Sequence, residues 1–127
     1  MSPARPCEAA SGERDEGPSE TAILTIDLNA LIANYRRLRD LAAPAECGAV
    51  VKADAYGLGM AEAAPALSRA GCKTFFVATL GEAKALRSLL PHAVVYVFAG
   101  LMPGTAELYR AHAIGRASCR ERVYVLV

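Results

Sequence analysis

Residues 49–59 of the chain read AVVKADAYGLG, and this stretch places a lysine at the end of an apolar run. Lysine is rarely buried without a partner, so the position of Lys52 in this run calls for an explanation. In parallel α/β folds the ligand site lies at the carboxyl ends of the strands, where a lysine directs its amine into a pocket mouth. Burial disfavours the charged ammonium and frees the amine to attack a carbonyl or to act as a base.

A tyrosine and two glycines follow the lysine directly. The phenol of Tyr56 could hydrogen-bond an anion, and Gly57 and Gly59 allow backbone amides to approach a phosphate, although two glycines are a weak signal. The alternative is that Lys52 extends from the strand end to solvent and that Tyr56 is half-buried packing. The spacing alone leaves both interpretations open.

Apolar strands and amphipathic helices alternate along the chain from residue 21 onward. The pattern predicts strands at residues 22–27, 48–53, 74–79 and 93–99, and helices at residues 28–41, 60–70, 81–90 and 103–112. Such an order indicates an α/β fold in which helices cover a parallel sheet. A (β/α)8 barrel and a doubly wound open sheet both satisfy it. A complete barrel has about 250 residues, so about four βα units would form an incomplete one.

The composition describes one globular domain and argues against several classes of partner. The 127 residues are 54% apolar and 21% charged, with a net charge of +1. We therefore expect no nucleic-acid partner and no membrane partner, because there is no basic excess and no apolar run of about 18–20 residues. Residues 1–20 are rich in Ser, Pro, Gly and charge and lack the apolar core of a secretory signal, which predicts a disordered tail and a cytoplasmic protein.

The cysteines and histidines do not form a metal-ligand pattern. Cys47 and Cys72 lack a metal-type spacing and are expected to be small buried residues. His92 and His112 are 20 residues apart and are expected on the surface or at a helix end. No metal site is predicted.

Charged residues near the lysine motif are interpreted as structural. Asp54 stands where the chain leaves the strand, and we expect it to serve the turn. Glu82 opens a helix, where a carboxylate favours the helix dipole. Lys84 and Arg87 are expected on the solvated face of that helix.

The stretch AVVKADAYGLG closely resembles the pyridoxal-phosphate attachment motif of the alanine racemases, where an apolar strand leads into Lys-Ala-Asn/Asp-Ala-Tyr-Gly-His-Gly. Residues 24–39, LTIDLNALIANYRRLR, resemble the opening strand and helix of that family. Residues 70–87, AGCKTFFVATLGEAKALR, resemble its third strand and the following helix. The resemblance covers about residues 21–113 and implies the N-terminal part of a (β/α)8 TIM-type barrel.

Carried over position by position, the resemblance implies roles for three residues. Lys52 would hold pyridoxal phosphate covalently and act as one of two catalytic bases. Tyr56 would contact the cofactor phosphate, and Leu80 would pack near the cofactor ring. Leu58 stands where the family motif usually has histidine, but the intact Lys52 and Tyr56 still imply cofactor binding.

The activity implied by the resemblance is the interconversion of L- and D-alanine. It implies a small amino acid as substrate and a homodimer as the full-length assembly. The family takes its second base, a tyrosine, from the C-terminal domain of the partner subunit, and no part of this chain resembles that domain. Tyr96 and Tyr109 are instead expected in a strand core and on a helix face, and the chain by itself is expected to be inactive.

Two alternatives to this activity remain open at the level of sequence. One is a related barrel that carries pyridoxal phosphate without turnover, although such carriers usually lack the Ala-Asp-Ala-Tyr-Gly run. The other is a related amino-acid racemase or decarboxylase of the same fold. A substrate panel separates them by alanine turnover, by bound cofactor without turnover, or by release of carbon dioxide.

The last residues depart from the family pattern. Residues 114–123, IGRASCRERV, also resemble the in-frame translation of a widely used sequencing-library adapter. We therefore predict a disordered tail at residues 1–20, a racemase-like barrel segment at residues 21–113 and a non-native tail at residues 114–127. The alternative is a genuine divergent strand and terminus.

Overall fold

A computed structural model describes residues 24–116 in full and the backbone of residues 124–126. Within these residues the helices are α1 (Leu28–Ala42), α2 (Lys52–Tyr56), α3 (Met60–Arg69), α4 (Leu80–Leu89) and α5 (Ala106–Ala111). The strands are β1 (Cys47–Val50), β2 (Thr74–Val77), β3 (Val94–Val97), β4 (Ile114–Arg116) and β5 (Tyr124–Leu126). In the described part of the chain, no helix is long and apolar enough to cross a membrane.

The strands form one parallel sheet in the order β4-β3-β2-β1-β5. A single row runs across four of them, in which Val50 pairs with Phe76, Phe76 with Tyr96, and Tyr96 with Gly115. Because successive side chains on a strand point to opposite faces, this row and its neighbours divide the sheet into two sides. The parallel sheet with alternating helices that the sequence predicts is confirmed.

The helices pack on one side of the sheet. The buried cluster there includes Phe75 and Val77 of β2, Val95 and Val97 of β3, and Leu86 of α4. A large apolar side chain contributes about 1.5–3 kcal/mol when it is fully buried, so this cluster is a principal source of stability. In a (β/α)8 barrel the helices lie outside the ring of strands. A sheet with helices on one side only, as here, has the arrangement of one part of such a wall.

The second side of the sheet is aromatic and partly open, and we call it the inner face. Phe76 is buried on it, whereas Val94 is 45% exposed and Phe98 is 43% exposed. Two glycines make room for the rings, since a Cβ on Gly48 would lie 2.8 Å from the Phe76 ring and one on Gly115 would lie 2.7 Å from the Tyr96 ring. Each ring therefore lies flat over a neighbouring strand that has no side chain at that point.

The predicted cysteine role is confirmed for Cys47 and Cys72, which are both buried and free. Burial raises the pKa of the Cys72 thiol to about 11 and also raises the pKa of the Cys47 thiol. The Cys72 thiol donates a hydrogen bond to the carbonyl of Thr74 at 3.3 Å. Both residues act as neutral packing groups next to Tyr35 of α1, whose hydroxyl donates to the Cys47 carbonyl.

Some element boundaries differ from the predicted ones. Residues 24–27 of the predicted first strand are not a strand, while residues 22 and 23 lie outside the described residues. The reason is that Asp27 caps α1, because its Oδ1 accepts from the amides of Asn29 at 2.8 Å and Ala30 at 3.2 Å. The predicted strand at residues 48–53 ends at Val50, and the predicted helix at residues 103–112 is confined to α5.

The chain turns left-handed directly after Lys52. Ala53, Asp54, Ala55 and Tyr56 all have positive φ, between 49° and 57°. A left-handed conformation costs roughly 1–2 kcal/mol per L-residue, so the surrounding contacts must hold this turn in place. The turn reverses the chain between β1 and α3 and leaves the lysine at the bend.

Arg87 was expected on a solvated helix face, and that prediction is wrong. Its Nη1 donates to the carbonyls of Leu90 at 3.2 Å, Pro91 at 2.9 Å and Ala93 at 2.7 Å. Its Nε donates to the carbonyl of His112 at 2.9 Å and its Nη2 to that of Ala113 at 2.8 Å. Arg87 thus ties the segment before β3 to the segment before β4.

Replacing Arg87 is expected to destabilise the fold. In R87K, one ammonium on a flexible stem cannot serve carbonyls on both segments, so we expect a loss of about 2–3 kcal/mol in the free energy of unfolding. Urea denaturation measures this loss. The control is Lys84→Ala on the same helix, where the exposed side chain should change stability by no more than about 0.5 kcal/mol. An R87K chain as stable as the wild type would contradict the assignment.

Replacing Ala53 in the left-handed turn by glycine is expected to stabilise the fold. Glycine normally destabilises a helix, but at an exposed position with φ 49° and ψ 51° it removes the Cβ strain. We therefore expect A53G to raise the free energy of unfolding by about 1 kcal/mol. The matched control is A85G at an exposed, right-handed position of α4, which should lower it by about 0.5–1 kcal/mol. Thermal denaturation compares the two, and equal losses would refute the strain argument.

Candidate functional site

Lys52 lies at the carboxyl end of β1, where the sequence predicts it. Its side chain is half-buried, and Nζ lies 5.8 Å from the centroid of the Tyr56 ring and 5.9 Å from that of the Phe98 ring. Both distances are within the range of a cation–π contact. Because Phe98 follows β3, the amine is held near the ends of two strands that are not adjacent in the sheet.

Three stacked rings form an aromatic wall on the inner face beside the amine. Phe76 stacks on Tyr96 with centroids 5.4 Å apart and on Phe98 with centroids 5.5 Å apart. Tyr96 is thus part of its strand's packing, as expected, but on the inner face. The sequence did not identify Phe76 and Phe98 as site residues, since near-continuous apolar strands do not show which alternate residues face the helices.

Tyr56 ends the left-handed turn and is 47% exposed. Its ring faces the Lys52 amine, so the structure brings these two predicted residues together. An exposed phenol can donate to an anion. The contact with a cofactor phosphate stays a prediction.

Gly57 and Gly59 serve the turn. Both have positive φ, 85° and 86°. The Gly57 amide donates to the carbonyls of Ala53 and Asp54, and the Gly59 amide donates to that of Asp54. Both N–H groups are thus used within the turn, and the approach of backbone amides to a phosphate here stays a prediction.

Asp54 has the structural role that the sequence predicts. Its Oδ1 accepts from the amide of Met60 at 2.7 Å, which caps the start of α3. The left-handed turn is thus fastened at its far end to the next helix.

Glu82 caps the start of α4 and also contacts the turn after Lys52. Thr79 and Glu82 form a capping box at the start of α4, which the Thr-x-x-Glu spacing signals. Oε2 of Glu82 accepts from the amides of Ala78 at 2.7 Å and Thr79 at 3.2 Å. Oε1 accepts from the amide of Ala53 at 2.9 Å. Sequence analysis missed this last bond, which joins residues 29 positions apart and has no local signature.

Leu80 is the first residue of α4 and follows β2. It is half-buried and packs against the helix-side core. Lys52, Leu80 and Phe98 thus follow three neighbouring strands at the same edge of the sheet. A contact between Leu80 and a cofactor ring stays a prediction.

An apolar cavity lies on the helix side of the sheet, between α1 and α3. Its walls include Leu31, Leu38, Ala55, Tyr56 and Leu67, and Lys52 does not line it. The amine is directed to the inner face instead, so we place the candidate site there.

The histidines stand apart from this edge. His92 is exposed and His112 lies at the end of α5. Within residues 24–116, no group of three or more His, Cys, Asp or Glu side chains is arranged to hold a metal ion.

Comparison with known sequences connects this architecture to one family. Residues 26–116 match the model of the alanine racemase N-terminal domain. The alanine racemase of Methylobacterium sp. (strain 4-46) is 61% identical over 93 residues, which are 73% of this chain and 26% of that protein. The alanine racemase of Rhizobium meliloti (strain 1021) is 47% identical over 91 residues, 72% of this chain and 24% of that protein. The chain thus spans about a quarter of the length of these relatives.

Solved structures give the same result. The alanine racemase of Bartonella henselae with covalently bound pyridoxal phosphate matches with a TM-score of 0.68 and 47% identity, covering 70% of this chain and 25% of that one. The histidine racemase of Leuconostoc mesenteroides subsp. sake also matches with a TM-score of 0.68, at 30% identity, covering 80% of this chain and 27% of that one. With the parallel sheet, these matches confirm the expected N-terminal part of a TIM-type barrel. The family match covers most of the chain and includes the strand, the lysine and the turn described above, and the chain therefore belongs to the alanine racemase family through its N-terminal domain.

Proposed function

We propose that this chain is the lysine-bearing segment of a pyridoxal-phosphate-dependent racemase that interconverts L- and D-alanine. The observation that carries the proposal is the Lys52 amine, half-buried at the carboxyl end of β1 between the Tyr56 and Phe98 rings. Relatives of 47–61% identity that are named alanine racemases support the assignment of activity.

The residues at this edge of the sheet fit pyridoxal phosphate. A primary amine, Lys52, suits the aldehyde of the cofactor, since the two condense with loss of water. The exposed phenol of Tyr56 suits a phosphate oxygen. The half-buried Leu80 and the exposed ring of Phe98, which Phe76 supports from behind by stacking, offer apolar surface to a pyridine ring.

Lys52 has two roles in the proposed reaction. When bound, pyridoxal phosphate withdraws electrons from the Cα–H bond of an attached amino acid and so acidifies it. Nζ of Lys52 would hold the cofactor between turnovers and, when free, would take or return the Cα proton on one face. Tyr56 and Phe98 restrict where the lysine stem can lie and so orient Nζ.

The assembly and location are part of the proposal. We infer a homodimer for the full-length enzyme, a small amino acid as its substrate and the cytoplasm as its location, as expected from the sequence. A racemase of another amino acid is a second candidate, because the Leuconostoc histidine racemase matches with the same TM-score, 0.68, as the Bartonella alanine racemase.

We also propose that residues 114–127 are translated adapter DNA and that the native segment occupies about residues 21–113. The decapeptide at residues 114–123 supports this. The family match runs three residues into that segment, to residue 116, where β4 pairs with β3. Long-read sequencing across the codons for residues 105–127 tests it, and a frame that continues into further βα units beyond residue 113 is the expected result. A confirmed stop after Val127 would refute it.

Site-specific trapping tests the role of Lys52. The chain has three lysines, Lys52, Lys73 and Lys84, of which the last two are exposed and serve as internal controls. After incubation with pyridoxal phosphate and reduction by borohydride, we expect peptide mapping to find the label mainly on Lys52. Equal labelling of all three lysines would overturn the assignment.

A chimera tests the activity. Residues 24–113 would replace the matching segment of the Methylobacterium alanine racemase, to which the chain is 61% identical over 93 residues. We expect the chimera to interconvert the alanine enantiomers, and K52A to lower kcat by about 100- to 10,000-fold, the usual effect of removing a positioned acid–base group. K84A is the control and should keep the parent rate. A panel with histidine and other amino acids separates the two candidate substrates.

A further inference from the structure

One carboxylate holds two separate segments of the chain at the edge of the sheet. Oε1 of Glu82 accepts from the Ala53 amide at 2.9 Å, and Oε2 accepts from the amides of Ala78 at 2.7 Å and Thr79 at 3.2 Å. The first bond reaches the residue next to Lys52, whereas the other two belong to the start of α4. The side chain is half-buried between them.

We propose that Glu82 is a positioning residue for Lys52, holding the left-handed turn so that the amine lies between the Tyr56 and Phe98 rings. The inference rests on the proposed function of Lys52. It assigns to Glu82 a role beyond capping α4, and this role acts through the backbone of Ala53.

The strain in the turn makes such a hold necessary. Four consecutive residues, 53–56, have positive φ. At roughly 1–2 kcal/mol for each L-residue, a turn of this kind relaxes unless other contacts fix it. The Val51 amide, which donates to the Phe76 carbonyl at 2.9 Å, fixes the chain before the lysine. Asp54 fixes the far end at Met60, and Glu82 fixes the first left-handed residue.

The direction of the lysine side chain depends on the two peptide planes that flank its Cα. The plane before Lys52 contains the Val51 carbonyl, which accepts from the Ala55 amide at 3.0 Å. The plane after it contains the Ala53 N–H, which Glu82 holds. Since misplacement of a reacting group by about 1 Å can lower a rate by about 100-fold, loosening this plane is expected to affect the amine.

A carboxylate is suited to this task and an amide is not. A glutamine has one acceptor oxygen, and two N–H groups directly before α4, those of Ala78 and Thr79, compete for it against one from Ala53. In E82Q we therefore expect the oxygen to stay at α4 and the NH₂ group to face the Ala53 N–H. E82Q keeps the helix cap and loses the hold on the turn.

Thr79→Ala is the matched control. Thr79 Oγ1 accepts from the Glu82 amide at 3.2 Å, so T79A removes part of the cap and leaves the Ala53 bond in place. An N-cap substitution costs about 1 kcal/mol, which makes T79A destabilising without loosening the turn. A purely structural role of Glu82 predicts the same behaviour for E82Q and T79A.

Two measurements on the 127-residue chain decide between these roles. Hydrogen exchange at the Ala53 amide needs no cofactor, and we expect it to be about tenfold faster in E82Q and unchanged in T79A. Labelling by pyridoxal phosphate and borohydride gives the ratio of the label on Lys52 to the label on Lys84. In this reaction the lysine amine and the aldehyde condense with loss of water, and hydride then reduces the C=N bond to a secondary amine. We expect this ratio to fall at least threefold in E82Q and to stay the same in T79A.

Each other result overturns the proposal. Unchanged Ala53 exchange in E82Q shows that Glu82 does not hold the turn. Faster exchange with an unchanged labelling ratio shows that the hold does not direct the amine. A wild-type chain that labels Lys52 no more than Lys84 removes the proposed function, and the positioning role with it. If E82Q does not fold, E82D replaces it in both measurements. Its side chain is one methylene shorter, so it keeps the charge at the start of α4 but no longer reaches the Ala53 amide, and we expect the same changes as in E82Q.

Discussion

The parallel register of the sheet is the constraint on which the candidate site depends. Because β1, β2 and β3 run in the same direction and their ends pair to within one residue, their carboxyl ends reach one edge together. Residues that are far apart in sequence, such as Lys52, Leu80 and Phe98, are placed along that edge by pairing alone. The same alternation that buries Phe75 among the helices turns Phe76 toward the open face.

The left-handed turn connects β1 to α3 within a few residues. The chain must leave β1, present a side chain toward the inner face and enter α3 on the helix side within a few residues. A right-handed helical turn would carry the chain onward in a different direction. Asp54 and Glu82 hold the unusual backbone from two sides, and both use carboxylate oxygens on backbone N–H groups. The polar residues around the lysine therefore shape the backbone.

Much of this molecule could be predicted from its sequence. Most of the helices and strands between residues 28 and 111, the position of Lys52 at a strand end and the structural role of Asp54 follow from local patterns, which depend on neighbours within about one helical turn. The contacts that the sequence did not reveal are long-range. Arg87 and Glu82 occupy helix positions typical of solvated charges, and only the fold brings distant backbone groups to them. The rings on the inner face were not predicted, because a strand that is apolar at nearly every position does not show which residues face the helices and which face the other side.

Arg87 also affects how cooperatively the domain unfolds. One guanidinium serves carbonyls both before β3 and after α5, so neither segment can open without releasing the other. Contacts of this kind join neighbouring units into one cooperative block, whose parts unfold together. The third and fourth strands, although linked by a short pairing of three residues, are therefore expected to open together.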